Sequence, residues 1–147
     1  MLSEQLPLLL ASPRLSDEAE SQPLDRLRMQ KAVFLLNQNG PTSWRSLYQF
    51  EPYNWGPFCR SLQDDLRRLV DDGKLELRET HPHRYSSYVS TGQGATEAVE
   101  ILEGLESSTL TFLREIRRFV TTRSFNQLLR DVYGAFPEFA VKSQFSG

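Results

Sequence analysis

Apolar residues recur along the chain at spacings that predict several helices and one β-hairpin. The clearest amphipathic helix spans 57–72, where apolar residues return every three or four positions and Gly73 offers a left-handed C-terminal cap. Pro57 suits the first turn of this helix, because its missing N–H is not needed there. Apolar and polar residues then alternate around a turn rich in His and Pro, which predicts a β-hairpin over 74–90.

The segment before this pair predicts a buried central helix. Apolar residues crowd more than one helical face over 24–36, and the Asn39-Gly40-Pro41 sequence is a typical helix end. A short leading helix is expected near 3–11. A connector rich in Ser, Pro and acidic residues follows it over 12–23.

The C-terminal part predicts three more helices. Thr91 is placed to cap a helix over 95–105, and an apolar stripe marks the next helix over 110–120. A Ser-x-x-Gln capping box that starts at Ser124 predicts the last helix over 125–136. The wide apolar faces of the last two helices either pack on the central helix or form a homodimer interface.

Helix followed by hairpin is the order of the second half of a winged-helix unit. The pattern therefore predicts a mainly α protein with a small β-hairpin (α+β), a winged helix-turn-helix with appended C-terminal helices. We expect an N-terminal helix and acidic connector over 1–23, a winged-helix core over 24–106 and a C-terminal helical extension over 107–147, packed on the core. A chain of 147 residues can bury such a core without disulfides or metal.

Composition indicates a soluble protein of the cytoplasm. Hydrophobic residues make up 39% and charged residues 24%, which is typical of globular proteins. The only cysteine, Cys59, cannot form an internal disulfide, which favours a reducing compartment. The apolar run over 6–11 is short and contains Pro7, so we expect neither a signal peptide nor a membrane span.

Three stretches carry a resemblance to a known family: 27–36, 50–58, and 62–73 with its spacing of Leu62, Leu66, Leu69 and Gly73. They resemble small prokaryotic winged-helix proteins of the YwgA-like type and, more distantly, SocA-like (Panacea) antitoxin domains. The ending over 132–143 is similar to the tail of such proteins. The resemblance implies a winged helix with appended helices and a regulatory or partner-neutralising role. Trp55 and Cys59 stand where those proteins have Tyr and Ser.

The charges of the 57–72 helix leave two interpretations open. Arg60, Arg67 and Arg68 could contact phosphates and base edges of DNA. Four aspartates on the same helix outnumber these three arginines and oppose the electrostatic term of DNA binding. A solvated face, with ion pairs of Asp64 to Arg67 and Arg68, or a protein partner of mixed charge, suits the same pattern.

The tip of the predicted hairpin carries Arg78, His81, His83 and Arg84. A basic tip can lie along a nucleic-acid backbone, although turns are polar for ordinary reasons. His81 and His83 have the spacing of two ligands, but zinc needs three or four and the chain has only two histidines. We therefore expect no metal and no other cofactor.

Catalytic motifs are lacking in the sequence, so we expect that the protein is not an enzyme and has no catalytic residues. Cys59 has no basic neighbour that marks a nucleophile and is interpreted as structural. Phe50, Tyr53 and Phe58 are expected in the core. Trp55 could pack in the core or contact a partner, since Trp is frequent at interfaces.

Two functional hypotheses follow. The first is a non-enzymatic regulatory module of antitoxin or adaptor type, which binds a protein such as a toxin or effector encoded nearby. The alternative is a sequence-specific transcriptional regulator that binds double-stranded DNA through helix 57–72 and hairpin 74–90. Under either hypothesis the expected contact residues are Trp55, Arg60, Arg67, Arg68, Arg78, His81, His83 and Arg84.

Overall fold

The computed structural model describes residues 1–80 and 85–143. The protein is mainly helical and carries two small antiparallel hairpins, which agrees with the α+β class. Its described helices and strands are α1 (Gln5–Leu10), α2 (Arg26–Asn39), β1 (Glu51–Tyr53), β2 (Gly56–Phe58), α3 (Arg60–Asp71), β3 (Leu75–Thr80), β4 (Tyr85–Ser90), α4 (Gly92–Glu103), α5 (Ser107–Thr121) and α6 (Phe125–Ala135).

The predicted central helix is confirmed as α2. Asp25 caps its first turn by accepting a hydrogen bond from the N–H of Arg28 at 2.8 Å, and the helix ends at Asn39. Every residue from 28 to 37 is buried. In the middle of α2, Phe34 packs edge-on against three rings, with centroid distances of 5.3, 4.9 and 4.8 Å to Phe50, Phe136 and Phe139. The last two rings fasten the C-terminal tail to the core.

The predicted leading helix is confirmed as α1, which belongs to the same hydrophobic core as α2. Its most buried residues are each at most 1% exposed: Leu6, Leu8, Leu9 and Leu10. The connector over 12–23 is held to the end of α5 by hydrogen bonds from the N–H groups of Ser21 and Gln22 to the Thr121 carbonyl oxygen. Residues on both sides of the predicted boundary at 24 therefore share one core.

The predicted helix start at Pro57 is wrong, because Pro57 lies in β2 and α3 begins at Arg60. In the hairpin of β1 and β2, Tyr53 pairs with Gly56 and Pro52 pairs with Pro57. Gly56 has a φ of +95°, a left-handed value that glycine adopts without strain. Residue pairs in an antiparallel ladder alternate between hydrogen-bonded and non-hydrogen-bonded positions. The Pro52–Pro57 pair follows the pair that closes the turn, so it does not need the N–H groups that proline lacks.

The predicted hairpin over 74–90 is confirmed as β3 paired with β4. A single antiparallel bridge joins Asp25 to Ser87, and the N–H of Tyr88 donates to the Leu24 carbonyl oxygen at 2.9 Å. These contacts place the start of α2 beside β4.

Two predicted helix caps are also confirmed. Gly73, with a φ of +75°, ends α3 in the left-handed conformation. Thr91 accepts a hydrogen bond from the N–H of Gly94 at 3.0 Å. The helix after this cap spans Gly92–Glu103, so its predicted range of 95–105 is wrong at both ends. The first turn directly follows the capping residue, and the two glycines of that turn do not prevent a helix from forming.

The C-terminal helices pack on the core, as expected. The buried residues of α5 include Leu113 and Val120, and those of α6 include Leu128 and Val132. Ser124 accepts a hydrogen bond from the N–H of the glutamine three positions later at 3.2 Å, which confirms the capping residue of the last helix. That helix ends at Ala135, close to its predicted end.

Candidate macromolecule-binding face

The polar side of α3 forms an exposed, charged surface next to both hairpins. The opposite side of the helix is buried through Leu62, Leu66 and Leu69, each at most 1% exposed. The exposed side, including the residue that caps the C-terminus, carries three arginines and three aspartates: Arg60, Asp64, Arg67, Arg68, Asp71 and Asp72. The formal charges of this surface therefore cancel.

The predicted ion pairs of Asp64 with Arg67 and Arg68 are wrong. Arg68 instead pairs with Asp65 at 2.9 Å. Neither Asp64 nor Arg67 forms an ion pair within residues 1–80 and 85–143. The reason is positional, because Asp64 points to solvent while Asp65 lies on the buried side and needs a partner.

Asp65 is 6% exposed and holds α3 against the N-terminal part of the chain. Its carboxylate accepts hydrogen bonds from the hydroxyls of Tyr48 at 2.6 Å and Ser3 at 2.7 Å. Burial, together with the hydrogen bond to Asp65, raises the pKa of the Tyr48 hydroxyl, so this group remains a donor. Position 65 could have been recognised from the sequence, because it stands three residues after Leu62 and four before Leu69 on the apolar stripe.

A first hollow lies between the β1–β2 hairpin and the start of α3 and has a volume of about 510 Å³. The residues that line it are Gln49, Glu51, Tyr53, Phe58, Cys59, Arg60, Ser61 and Asp64. Tyr53 stacks on Phe58, with ring centroids 5.0 Å apart, and is 51% exposed. The expectation that Tyr53 lies in the core is therefore wrong; Phe50 and Phe58 are partly buried.

Trp55 occupies the turn between β1 and β2 and is 39% exposed. One side of its ring contacts Phe125 at the start of α6, with centroids 6.0 Å apart. Trp55 is thus fixed by packing and still presents surface to solvent. The packing agrees with one of the alternatives that the sequence left open, and the other, contact with a partner, stays a prediction.

Lys31 lies buried beneath this hairpin and is 2% exposed. Its Nζ donates a hydrogen bond to the Pro57 carbonyl oxygen at 3.3 Å. Burial lowers the pKa of Lys31 to about 7, although the charge of Asp25 acts in the opposite direction. A Cβ atom at Gly56 would lie 2.7 Å from Cε of Lys31, so the lysine stem and the hairpin turn are in close contact.

Cys59 is a buried structural residue, as expected, and is 2% exposed. Its N–H donates to the side-chain oxygen of Gln30 at 2.9 Å, and its carbonyl oxygen accepts from the amide of the same residue at 3.0 Å. Gln30 therefore fixes the junction between β2 and α3. The sequence offered one signal for this contact, because Gln30 is a polar residue within a helix that is apolar on several faces and therefore needs a buried hydrogen-bond partner.

A second hollow lies on the other side of the exposed α3 surface, between α3, the start of α2 and the β3–β4 hairpin. Its volume is about 210 Å³. The residues that line it are Arg26, Gln63, Leu66, Arg67, Val70, Leu77 and Tyr88. The residues expected to contact a partner are therefore divided, with Arg60 in the first hollow and Arg67 in the second. Arg26 was missed, because a single arginine before an apolar segment gives no signal of its own.

The hairpin tip is only partly described. Arg78 is exposed and pairs with Glu76 on the same strand, which reduces the charge that it presents. His81, His83 and Arg84 lie outside the described residues.

A scan against models of protein families found no match, and a search of curated proteins found no match either. The family resemblance therefore stays a prediction based on its motifs. Within residues 1–80 and 85–143, no helix has the length and apolar character required to cross a membrane.

Proposed function

We propose that this chain is a non-enzymatic regulatory module of the winged-helix type, which binds a protein partner through the exposed side of α3 and the turn of the first hairpin. The element order supports the winged-helix assignment: α1, a one-residue bridge at Asp25 to β4, α2, α3, and the β3–β4 hairpin. The β1–β2 hairpin is an insertion between the second and third helices of that unit.

The observation that carries the proposal is the exposure of Tyr53 and Trp55 on a short hairpin beside the charged side of α3. Tyr, Trp and Arg are the residues that most often contribute large shares of binding energy at protein interfaces. Packing on Phe58 and Phe125 holds both rings, so less side-chain entropy is lost on binding. The balanced charge of the α3 surface also suits a protein of mixed charge better than a polyanion.

Co-purification with the products of adjacent genes tests this proposal. One of these products should bind the chain, and Tyr53→Ala or Trp55→Ala should weaken binding by about 30-fold, which corresponds to about 2 kcal/mol. Arg114→Ala, an exposed substitution on α5, is the matched control and should leave binding unchanged. Failure to bind any neighbouring product, or equal binding by all three variants, would count against the proposal.

A second candidate function is DNA binding by α3 and the β3–β4 hairpin. The observation that favours it is that Arg26 and Arg67 are exposed and form no ion pair in the described part of the chain. Titration with genomic DNA at several salt concentrations should then show affinity that falls steeply with salt. Loss of two phosphate contacts in the double variant Arg67→Ala, Arg68→Ala should reduce the salt slope by about 2. If the affinity for DNA does not change with salt concentration, or does not change in this double variant, DNA binding is excluded.

A further inference from the structure

The second hollow combines an apolar floor with two arginines and one neutral polar side chain, Gln63, which donates a hydrogen bond to the Tyr88 hydroxyl. The floor consists of side chains from α3 and the β3–β4 hairpin: Leu66, Val70, Leu77 and Tyr88. Leu77 is 37% exposed, so part of this floor remains in contact with water. Arg26 and Arg67 stand on the rim, and no carboxylate among the described residues lines the hollow.

The acidic residues next to the two rim arginines do not pair with them. Asp25 precedes Arg26 in the chain, but its carboxylate binds Arg28 at 2.6 Å and caps α2. On α3, the carboxylate of Asp65 is bound to Arg68, and Asp64 and Asp71, three and four positions from Arg67, form no ion pair in the described part of the chain. Both rim guanidinium groups therefore remain available to an anionic group from outside.

The size and chemistry of the hollow restrict what can occupy it. A volume of about 210 Å³ fits one large apolar side chain and is too small for a drug-sized ligand. Sugar and phosphate groups would satisfy Arg26 and Arg67, but they would not cover the apolar floor, because protein–DNA interfaces are mainly polar. A protein segment can supply the apolar group and the anionic groups together.

We propose that the second hollow binds a protein segment in which one bulky apolar residue is flanked by carboxylates. The apolar side chain covers the floor at Leu77, and the flanking acidic residues pair with Arg26 and Arg67. The inference rests on the proposed protein-binding function and specifies the chemistry of the partner. It adds a contact site beside α3 that is separate from the first hollow.

Short blocked peptides labelled with fluorescein test this inference by fluorescence polarisation with the full chain. The probe contains a leucine with two glutamates on each side. One comparison peptide replaces the glutamates with glutamines, and another replaces the leucine with alanine. The probe should bind about tenfold more tightly than the alanine peptide. The alanine side chain has three fewer carbon atoms to bury in the hollow, and their burial is worth about 1–2 kcal/mol of binding free energy. It should bind about threefold more tightly than the glutamine peptide at low salt.

Substitutions in the chain should give the matching pattern. Arg26→Gln and Arg67→Gln should each weaken binding of the probe by about threefold and leave the glutamine peptide unaffected. Leu77→Ser should weaken both leucine-containing peptides by about tenfold. Arg114→Gln is the matched control, because it removes the same charge at an exposed position of α5 that lines neither of the two hollows. All four side chains are exposed, so circular dichroism should show an unchanged fold.

Four outcomes would overturn the inference. Equal binding of the three peptides would show that the hollow does not recognise this chemistry. Equal weakening by Arg114→Gln would indicate a general charge effect. Binding of a short DNA duplex that Arg67→Gln weakens and Leu77→Ser does not would assign the rim to nucleic acid. If a neighbouring gene product binds through Tyr53 but ignores Arg67→Gln and Leu77→Ser, this inference fails and the proposed function stands.

Discussion

Replacement of the buried Lys31 by methionine should stabilise the protein, and the gain should depend on pH. Lys31 is 2% exposed, and the Pro57 carbonyl oxygen at 3.3 Å is the one hydrogen-bond acceptor of its Nζ in the described part of the chain. A buried charge with so few partners lowers the stability of the folded state. Methionine has a similar length, fills the same space and carries no charge.

The size of the effect follows from the pKa of Lys31, which burial lowers from 10.5 to about 7. Each pKa unit corresponds to about 1.36 kcal/mol, so this difference is worth about 5 kcal/mol in the free energy of unfolding. Below about pH 7 the amine is protonated in both the folded and the unfolded state, and folding then carries the whole free-energy cost of burying the charge. Between about pH 7 and 10.5 the unfolded chain binds more protons than the folded one, so stability rises with pH.

Urea unfolding, followed by tryptophan fluorescence at several pH values, measures this effect. At about pH 6 the free energy of unfolding of the Lys31→Met variant should exceed that of the original protein by a few kcal/mol. Loss of the hydrogen bond to Pro57 reduces this gain by about 1 kcal/mol. The difference should shrink by about 1.4 kcal/mol per pH unit above about pH 7. Lys142→Met, at an exposed position, is the control and should show no such trend. A difference between the Lys31 variant and the original that stays constant with pH would refute the argument.

Three further experiments test other contacts by urea unfolding. Gly94→Ala should destabilise the protein by about 2–3 kcal/mol, because the new Cβ would lie 1.9 Å from a backbone oxygen. The Cβ of Gly92→Ala meets no atom within 4 Å, so this substitution should raise the free energy of unfolding by about 0.5 kcal/mol. Equal effects of the two substitutions would contradict this argument. A double-mutant cycle of Tyr48→Phe and Asp65→Asn should give a coupling energy of about 1.5–3 kcal/mol, and additive effects would show that their hydrogen bond contributes little. Arg28→Met should cost about 3–5 kcal/mol because it leaves the Asp25 carboxylate buried, and a loss below about 1 kcal/mol would contradict a buried pair.

The central helix, the second hairpin and three of the helix caps were parts of the fold that the sequence could predict. The central helix, the second hairpin and the caps at Gly73, Thr91 and Ser124 all depend on residues close together in the chain. Local propensity and hydrophobic spacing are strong in such segments, so tertiary contacts do not override them.

The first hairpin was missed because its sequence also fits another structure. Each of its strands has only three residues and contains a proline, so no alternating pattern is visible. Pro57 suits the first turn of a helix as well as a non-hydrogen-bonded strand position. The positive φ of Gly56, which decides between them, depends on Lys31 and Leu129 packed against the turn.

The candidate site was predicted only in part, because its geometry depends on distant pairings. The sequence predicted a solvated face for the four aspartates of the helix, although one of them, Asp65, binds Ser3, which is 62 positions away in the chain. Asp64 was given the ion pair that Asp65 makes. Periodicity can place a carboxylate on the buried side of a helix, but it does not identify the hydroxyl that will donate a hydrogen bond to it there. Arg60 and Arg67 were identified as exposed, whereas their separation into two hollows required the positions of both hairpins.

The position of Arg26 on the second hollow is a consequence of buried contacts directly behind it. Arg28 donates to the Asp25 carboxylate and to the carbonyl oxygens of Val120 and Arg123, at 2.6, 3.0 and 3.1 Å. The same Asp25 bridges to β4 through its backbone, so the first turn of α2 is fixed on two sides. Arg26 lies between these two anchored residues, and its Cα has little freedom to move. A partner that binds this rim therefore meets a guanidinium group whose backbone is already in place, which reduces the entropy lost on binding.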